Sequence, residues 1–183
     1  VPRALPGSKM SMANFWVGGR SMKNGLHFDN FDNLLHQLSG TKRALLFPPA
    51  DSQYLSYTDK GANIRRHRIS IGEDSVDFAN ETVHEAVRKN VAVIDVFDAD
   101  VGTKHPLVHK ATPTVCELSE GDALFLPKGW HHAVISSSES ARNIAVNTWY
   151  DLQGRTTPME RVSSMADMFQ LDGCEGVAAK PAQ

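Results

Sequence analysis

The chain has only two cysteines, Cys116 and Cys174, and they are too far apart in sequence to form a metal or redox pair. They are expected as free thiols, which fits a reducing, cytoplasmic or nuclear compartment. No apolar run approaches the length of about 18 residues that a membrane helix needs, so no membrane partner is expected. The opening stretch VPRALPGSKMSMANF carries no secretory hydrophobic core. Position 1 is Val rather than Met, so the start is expected to be the edge of a processed or longer chain. An excess of one charge is also missing: 19 basic residues face 21 acidic ones, for a net charge of -2. Overall electrostatic attraction to nucleic acid is therefore not expected. There is no repeat, no low-complexity block and no phosphate-binding glycine loop, since Gly18-Gly19-Arg20 is only a turn signal. No serine sits in a nucleophile elbow, which removes the usual hydrolase reading.

What remains is an ordinary globular composition, 41% hydrophobic over 183 residues, enough for one domain with a sizeable core. Short β-like runs punctuated by Gly, Pro, Asn and Asp begin near residue 14. They cover 14–17, 26–29, 34–38, 43–47, 91–96, 111–118, 123–126, 133–136 and 143–150. Residues 51–57 read as a short helical turn and 81–89 have helical composition. Residues 1–13 read as an irregular arm, 14–151 as a β-barrel with a variable insert at 58–110, and 152–183 as a C-terminal helix and tail. In that last part Met159, Val162, Met165, Met168 and Phe169 recur at helical spacing. Such a stripe is expected to pack on the barrel rather than form a dimer. Many short strands with tight turns point to a rolled antiparallel sheet.

The sharpest local signal is Leu26-His27-Phe28-Asp29. In a strand, residues i and i+2 face the same way, so His27 and Asp29 project together. An imidazole beside a carboxylate makes two legs of a facial iron triad, and a second His from a distant strand completes it. Two His and one carboxylate leave open positions for a bidentate co-substrate and dioxygen. His-x-Asp alone occurs often by chance, and its context decides the matter.

Residues 27–49 (HFDNFDNLLHQLSGTKRALLFPP), 121–136 (GDALFLPKGWHHAVIS) and 144–150 (IAVNTWY) together resemble the JmjC family of 2-oxoglutarate oxygenases. The likeness is to the small hydroxylases, both RNA-modifying and lysyl-hydroxylating. It covers roughly residues 13–57 and 112–151. It implies a double-stranded β-helix of cupin, or jelly-roll, type with a few flanking helices. It also implies an Fe(II)- and 2-oxoglutarate-dependent dioxygenase that hydroxylates a C–H bond and releases succinate and CO2. His27, Asp29 and His132 take the metal positions. His132 is preferred to His131 because the family ligand falls two residues after the Trp marked here by Trp130. Strand alternation also puts the two histidines on opposite faces. Lys42 stands where the family pairs a cation with the distal carboxylate of 2-oxoglutarate. Asn33 and Asn147 match polar positions of the co-substrate pocket, and Trp149 and Trp130 are candidate pocket walls.

This chain departs from the family pattern at two points. Asn24 stands where relatives have Ser or Thr, and is expected to donate a hydrogen bond there. The tyrosine that relatives supply from an N-terminal region has Tyr54 or Tyr57 as its candidate substitutes. His105 and His109 are read as a surface pair, and Arg65-Arg66-His67-Arg68 as a solvated loop rather than an RNA contact. The expected substrate is a protein side chain, with a tRNA base as the alternative. Two other readings stay open: a catalytically silent binding module, and a metal cupin that does not use 2-oxoglutarate.

Overall fold

A computed structural model describes residues 9–19, 21–58, 60–71, 76–137, 142–151 and 174–176. Within these, 62–87, 137 and 174–176 are described by backbone alone. In chain order the strands are β1 (Lys9–Gly18), β2 (Lys23–Phe28), β3 (Asp32–Ser39), β4 (Thr41–Phe47), β5 (Ala62–Ile71) and β6 (Val76–Arg88). They continue with β7 (Thr114–Leu118), β8 (Ala123–Leu126), β9 (His131–Ser137), β10 (Asn143–Asp151) and β11 (Cys174–Gly176). Two 3-10 turns, Pro49–Tyr54 and Pro106–Lys110, and one short helix, α1 (Val101–Lys104), complete the set.

Two antiparallel sheets carry the fold, a double-stranded β-helix. One has the strand order β1-β10-β3-β8 and the other β11-β7-β4-β9-β2, while β5 and β6 form a separate hairpin. The chain passes from the first sheet to the second between β3 and β4, at Ser39-Gly40. Gly40 holds φ 76° there, a conformation that disfavours a residue with a Cβ. That corner sets the phase of β4, so that Lys42, Ala44 and Leu46 turn inward while Thr41 and Arg43 are exposed.

Between the sheets lies a core of Leu35, Leu46, Cys116, Leu118, Leu124 and Leu126 with their neighbours. A second cluster, containing Leu26, Phe47, Leu55, Ile94 and Ala133, includes residues of the Pro49–Tyr54 turn region and of the 91–111 segment. Backbone bonds stitch that segment to β2: Phe28 N–H donates to the Asn90 carbonyl at 3.0 Å and Ala92 N–H to that of Leu26 at 2.9 Å. Asp51, buried, receives Thr112 N–H at 2.6 Å and its hydroxyl at 2.9 Å. The strand that carries the His-x-Asp motif is thus packed and bonded along its length.

Four sequence expectations change. Residues 91–96, read as a strand, form none; Val91 alone makes an isolated bridge, to His27, and the segment packs as an irregular stretch against β2. β1 begins at Lys9, inside the stretch read as an irregular arm. Residues 81–89, helical by composition, lie almost wholly in β6, whose pairing with β5 overrides the weak helix propensity. The cysteines are not free: Cys116 is disulfide-bonded, and β11 sets Cys174 directly opposite it. Thiol pairing is decided by which strands meet, and sequence distance carries no signal of it. The amphipathic stripe at 158–171 lies outside the described residues, and the basic cluster 65–68 falls on β5. Among the described residues no helix is long and apolar enough to cross a membrane.

Leu26 is fully buried beside His27. Leu26→Ala is expected to lower unfolding free energy by about 2–5 kcal/mol. Urea denaturation measures it, and a loss below about 1 kcal/mol would contradict this account of the second cluster.

Candidate metal centre

β2 and β9 pair antiparallel with His27 opposite His132 and Asn24 opposite Val134. Three residues on β2 therefore span two on β9, a bulge at Gly25-Leu26. Its consequence is specific. Plain alternation would turn Asn24 away from His27, whereas the extra residue returns both to the face of His132 and Val134.

On that face the side chains converge. One ligand atom from each of His27, Asp29 and His132 lies within 4.8 Å of the other two. His132 Nε2 is 3.8 Å from Asp29 Oδ2, and the two imidazole centroids are 4.3 Å apart. Each ring is held from behind by a backbone carbonyl. His27 Nδ1 donates to Gly25 at 2.8 Å and His132 Nδ1 to Trp130 at 3.1 Å. That fixes the tautomer and leaves Nε2 with its lone pair free on each ring. Burial, reinforced by His27, pushes the His132 imidazole down to about 4, against the pull of Asp29. It is neutral at pH 7, the state a metal requires. Trp149 Nε1–H donates to Asp29 Oδ2 at 3.1 Å, and Gly129 N–H to the Asp29 carbonyl at 2.9 Å. This donor set suits a divalent transition metal with an open face.

His131 lies on the other side of β9. It is buried against Phe28 and Tyr57, and its Nδ1 shares a hydrogen bond of 2.9 Å with the Tyr57 hydroxyl. Burial pushes that hydroxyl well above its ordinary range, so it stays protonated.

A cavity of about 460 Å³ opens from the cluster, a size suited to a small organic ligand. Asn24, Asn33, Lys42, Asn147 and Trp149 all line it. Lys42 is only 7% exposed, and burial lowers the pKa of its ammonium. Among the described residues no carboxylate pairs with it; its bond is to the Ser136 hydroxyl, at 2.8 Å. Asn33 is 1% exposed, and neither its amide oxygen nor its nitrogen has a partner. Trp16 Nε1–H donates to Asn147 Oδ1, which commits the Asn147 amide oxygen and leaves its NH2 as a donor. Trp130 does not line the cavity; it packs against the core between the sheets. Tyr54 and Tyr57 do not line it either, belonging to the second cluster. Trp16 and Ser136 were not read from the sequence. Trp16 shares period-2 phase with Asn14 along β1, but nothing local ties it to β10. Ser136 is in phase with His132, a signal that could have found it.

A double-stranded β-helix with a His-x-Asp pair at the end of one strand and a His across from it defines a cupin with three side chains that could hold a metal. The chain belongs to the Cupin-like domain family, whose pattern matches residues 1–156. It is 32% identical over 157 residues to Lysine-specific demethylase JMJ32 of Arabidopsis thaliana, covering 80% of this chain and 44% of that protein. It is 28% identical over 149 residues to the human Bifunctional peptidase and (3S)-lysyl hydroxylase JMJD7, with the same coverage of each chain. Human tRNA wybutosine-synthesizing protein 5 is 32% identical over 122 residues, 67% of this chain and 29% of that protein. The chain thus spans less than half the length of these relatives.

Trp149→Phe keeps the wall but removes the donor to Asp29. Titration with Mn(II) or Fe(II) is expected to show affinity about ten-fold weaker. Wild-type affinity in this variant would deny Trp149 its part in orienting the carboxylate.

Proposed function

We propose that this chain is the catalytic domain of an Fe(II)- and 2-oxoglutarate-dependent dioxygenase that hydroxylates a protein side chain. The observation that carries this is Lys42, a cation buried at the end of the cavity away from the facial cluster. The register sets Lys42 opposite Ser136 and Leu46 opposite His132. The cation's backbone therefore lies about four residues, or ~13 Å, along the strands from the metal face. A buried ammonium without a counter-charge costs several kcal/mol. An anion seated against it removes that cost. A ligand that chelates a metal at one end and offers a carboxylate at the other fits both features, and 2-oxoglutarate is such a ligand. The Asn33 amide, unpartnered among the described residues, and the Asn147 NH2, whose oxygen is already taken by Trp16, are polar groups that a chelating carboxylate or carbonyl would satisfy.

When bound, Fe(II) and 2-oxoglutarate supply the chemistry by which dioxygen hydroxylates a C–H bond, with release of succinate and CO2. The residues do the rest. His27, Asp29 and His132 would hold the metal. Trp149 and the Gly25 and Trp130 carbonyls fix the orientation of those three. Lys42 selects and aligns the dianion, while the walls reduce access of water.

A protein substrate is favoured over an RNA base by the charge of the site. Among the described residues, Lys23 and Lys42 are the Lys or Arg side chains on the cavity wall; Lys23 is tied to Asp95 at 3.0 Å and Lys42 is buried. Neither offers a track for phosphates. The lysyl hydroxylase named among the relatives points the same way.

Two experiments test this reading. In anaerobic titration with Fe(II) and then 2-oxoglutarate, wild-type protein and His131→Ala are expected to develop the weak visible charge-transfer band of a chelate. His132→Ala is expected to lose it. A band retained in His132→Ala sinks the triad, and metal bound without any band supports the silent module or a cupin with another co-substrate. Lys42→Met is expected to abolish 2-oxoglutarate binding while raising the stability of the ligand-free protein, by about 1–4 kcal/mol. Lower stability together with undiminished binding would refute Lys42 as the anchor.

A further inference from the structure

A single ammonium is a poor match for a buried carboxylate. The carboxylate has two oxygens and about four lone-pair directions, and a compact Lys head satisfies it as a point charge rather than as a fork. Each lone pair left bare in a closed site costs free energy, so a second donor is needed beside Lys42. Hydroxyls are the natural choice, and the cavity wall is almost empty of them. Among the described residues, no tyrosine and no threonine lines it. Among the residues that do, Ser136 alone carries a hydroxyl.

Its setting is specific. Ser136 is 3% exposed. Its backbone is pinned twice, by pairing with Lys42 across β4 and β9 and by its own N–H donating to the Met22 carbonyl at 2.8 Å. Lys42 Nζ donates to Ser136 Oγ at 2.8 Å. A hydroxyl has one proton to give and two lone pairs to receive. Here the ammonium takes a lone pair, so the proton must go elsewhere. Among the described residues no acceptor for it is found, and the cavity is the space it faces. The ammonium and the hydroxyl thus form a two-point donor pair, polarised in one direction.

We infer that Ser136 is the second donor to the distal carboxylate of the co-substrate, acting with Lys42 as a length gauge for dicarboxylic 2-oxoacids. The inference rests on the co-substrate reading above and names a residue which that reading does not require. Asn24 stays on the same face, opposite Val134, and is the competing donor. Ser136 has the stronger claim because it already touches the cation.

The test is calorimetric titration, under anaerobic conditions, of the Mn(II)-loaded chain with 2-oxoglutarate and separately with pyruvate. Pyruvate carries the chelating group and lacks the distal carboxylate. Ser136→Ala is expected to weaken 2-oxoglutarate binding about ten-fold or more, the usual loss for a hydrogen bond to a charged group. Pyruvate and Mn(II) affinities should not change. Ser136→Thr is expected to restore most of the 2-oxoglutarate affinity, which a purely structural role would not predict. Equal 2-oxoglutarate affinity in wild type and Ser136→Ala overturns the role of Ser136 alone. So does equal loss of both ligands, or the same selective loss appearing in Asn24→Ala and not in Ser136→Ala. Wild-type protein that binds Mn(II) and no 2-oxoglutarate overturns the co-substrate reading and this inference with it.

Discussion

The pairing of β2 with β9 is the constraint on which the site depends. It joins a His-x-Asp strand near the start of the chain to a His more than 100 residues later, through one register. If β2 slid by one residue, every side chain on it would change faces, and the cluster would vanish without the loss of a single functional residue. Several features oppose such a slip. The Gly25-Leu26 bulge is anchored because Leu26 is fully buried in the second cluster. Asn90 both receives the Phe28 N–H and gives its side-chain amide to the Phe28 carbonyl, at 2.8 Å. On the partner strand, His131 is locked by Tyr57 and Phe28. The apparently redundant histidine beside His132 thus has structural work: it keeps the strand from rolling.

How far the sequence could be read follows from the range of each interaction. His27 and Asp29 are two residues apart, so period-2 geometry brings them together with no tertiary information. Lys42, Asn33, Asn147 and His132 came from ordered motifs resembling a family, and all of them line the same cavity as Asn24 and Trp149. The fold class was legible for the same reason: tight turns and short runs recur along the chain. What was missed depended on register across strands. Strand alternation could not place Asn24 with His27, because the bulge is invisible in Asn-Gly-Leu-His. Trp130 follows the right sequence marker but packs into the core. Residues 81–89 have side chains that suit a helix, and only a partner strand makes them β. The cysteine pair is the plainest instance, since β11 must reach β7 before the two residues meet.

The cavity wall shows a consistent division between charge and neutral polarity. Asn24, Asn33 and Asn147 line the same cavity as Lys42 and the His27, Asp29 and His132 cluster, with Asn33 and Asn147 on the first sheet and Asn24 and Lys42 on the second. Amides can give and receive hydrogen bonds without carrying charge. In the proposed function they would orient an anion, leaving the cation and a bound metal to supply the attraction. Trp16 on β1 and Trp149 on β10 then remove ambiguity, each by donating one N–H, to Asn147 and to Asp29 respectively. The two tryptophans come from adjacent strands of one sheet, while His27, His132 and Lys42 come from the other. Both sheets must therefore face each other correctly before the site exists, which couples site geometry to the packing of the core between them.

That coupling has a thermodynamic consequence. Among the described residues the Lys42 ammonium has no counter-charge and the Asn33 amide no partner. Both are costs that a fully apolar core would avoid. They persist because the surrounding strands are held by clusters on either side of the second sheet. A ligand that meets both groups recovers the free energy held there, and gains in addition whatever its own contacts provide. Binding and folding stability should then rise together, by the amount mass action allows for a ligand that recognises only the folded state. The site's instability when empty and its selectivity when filled have the same physical origin, namely polar groups fixed in place before their partner arrives.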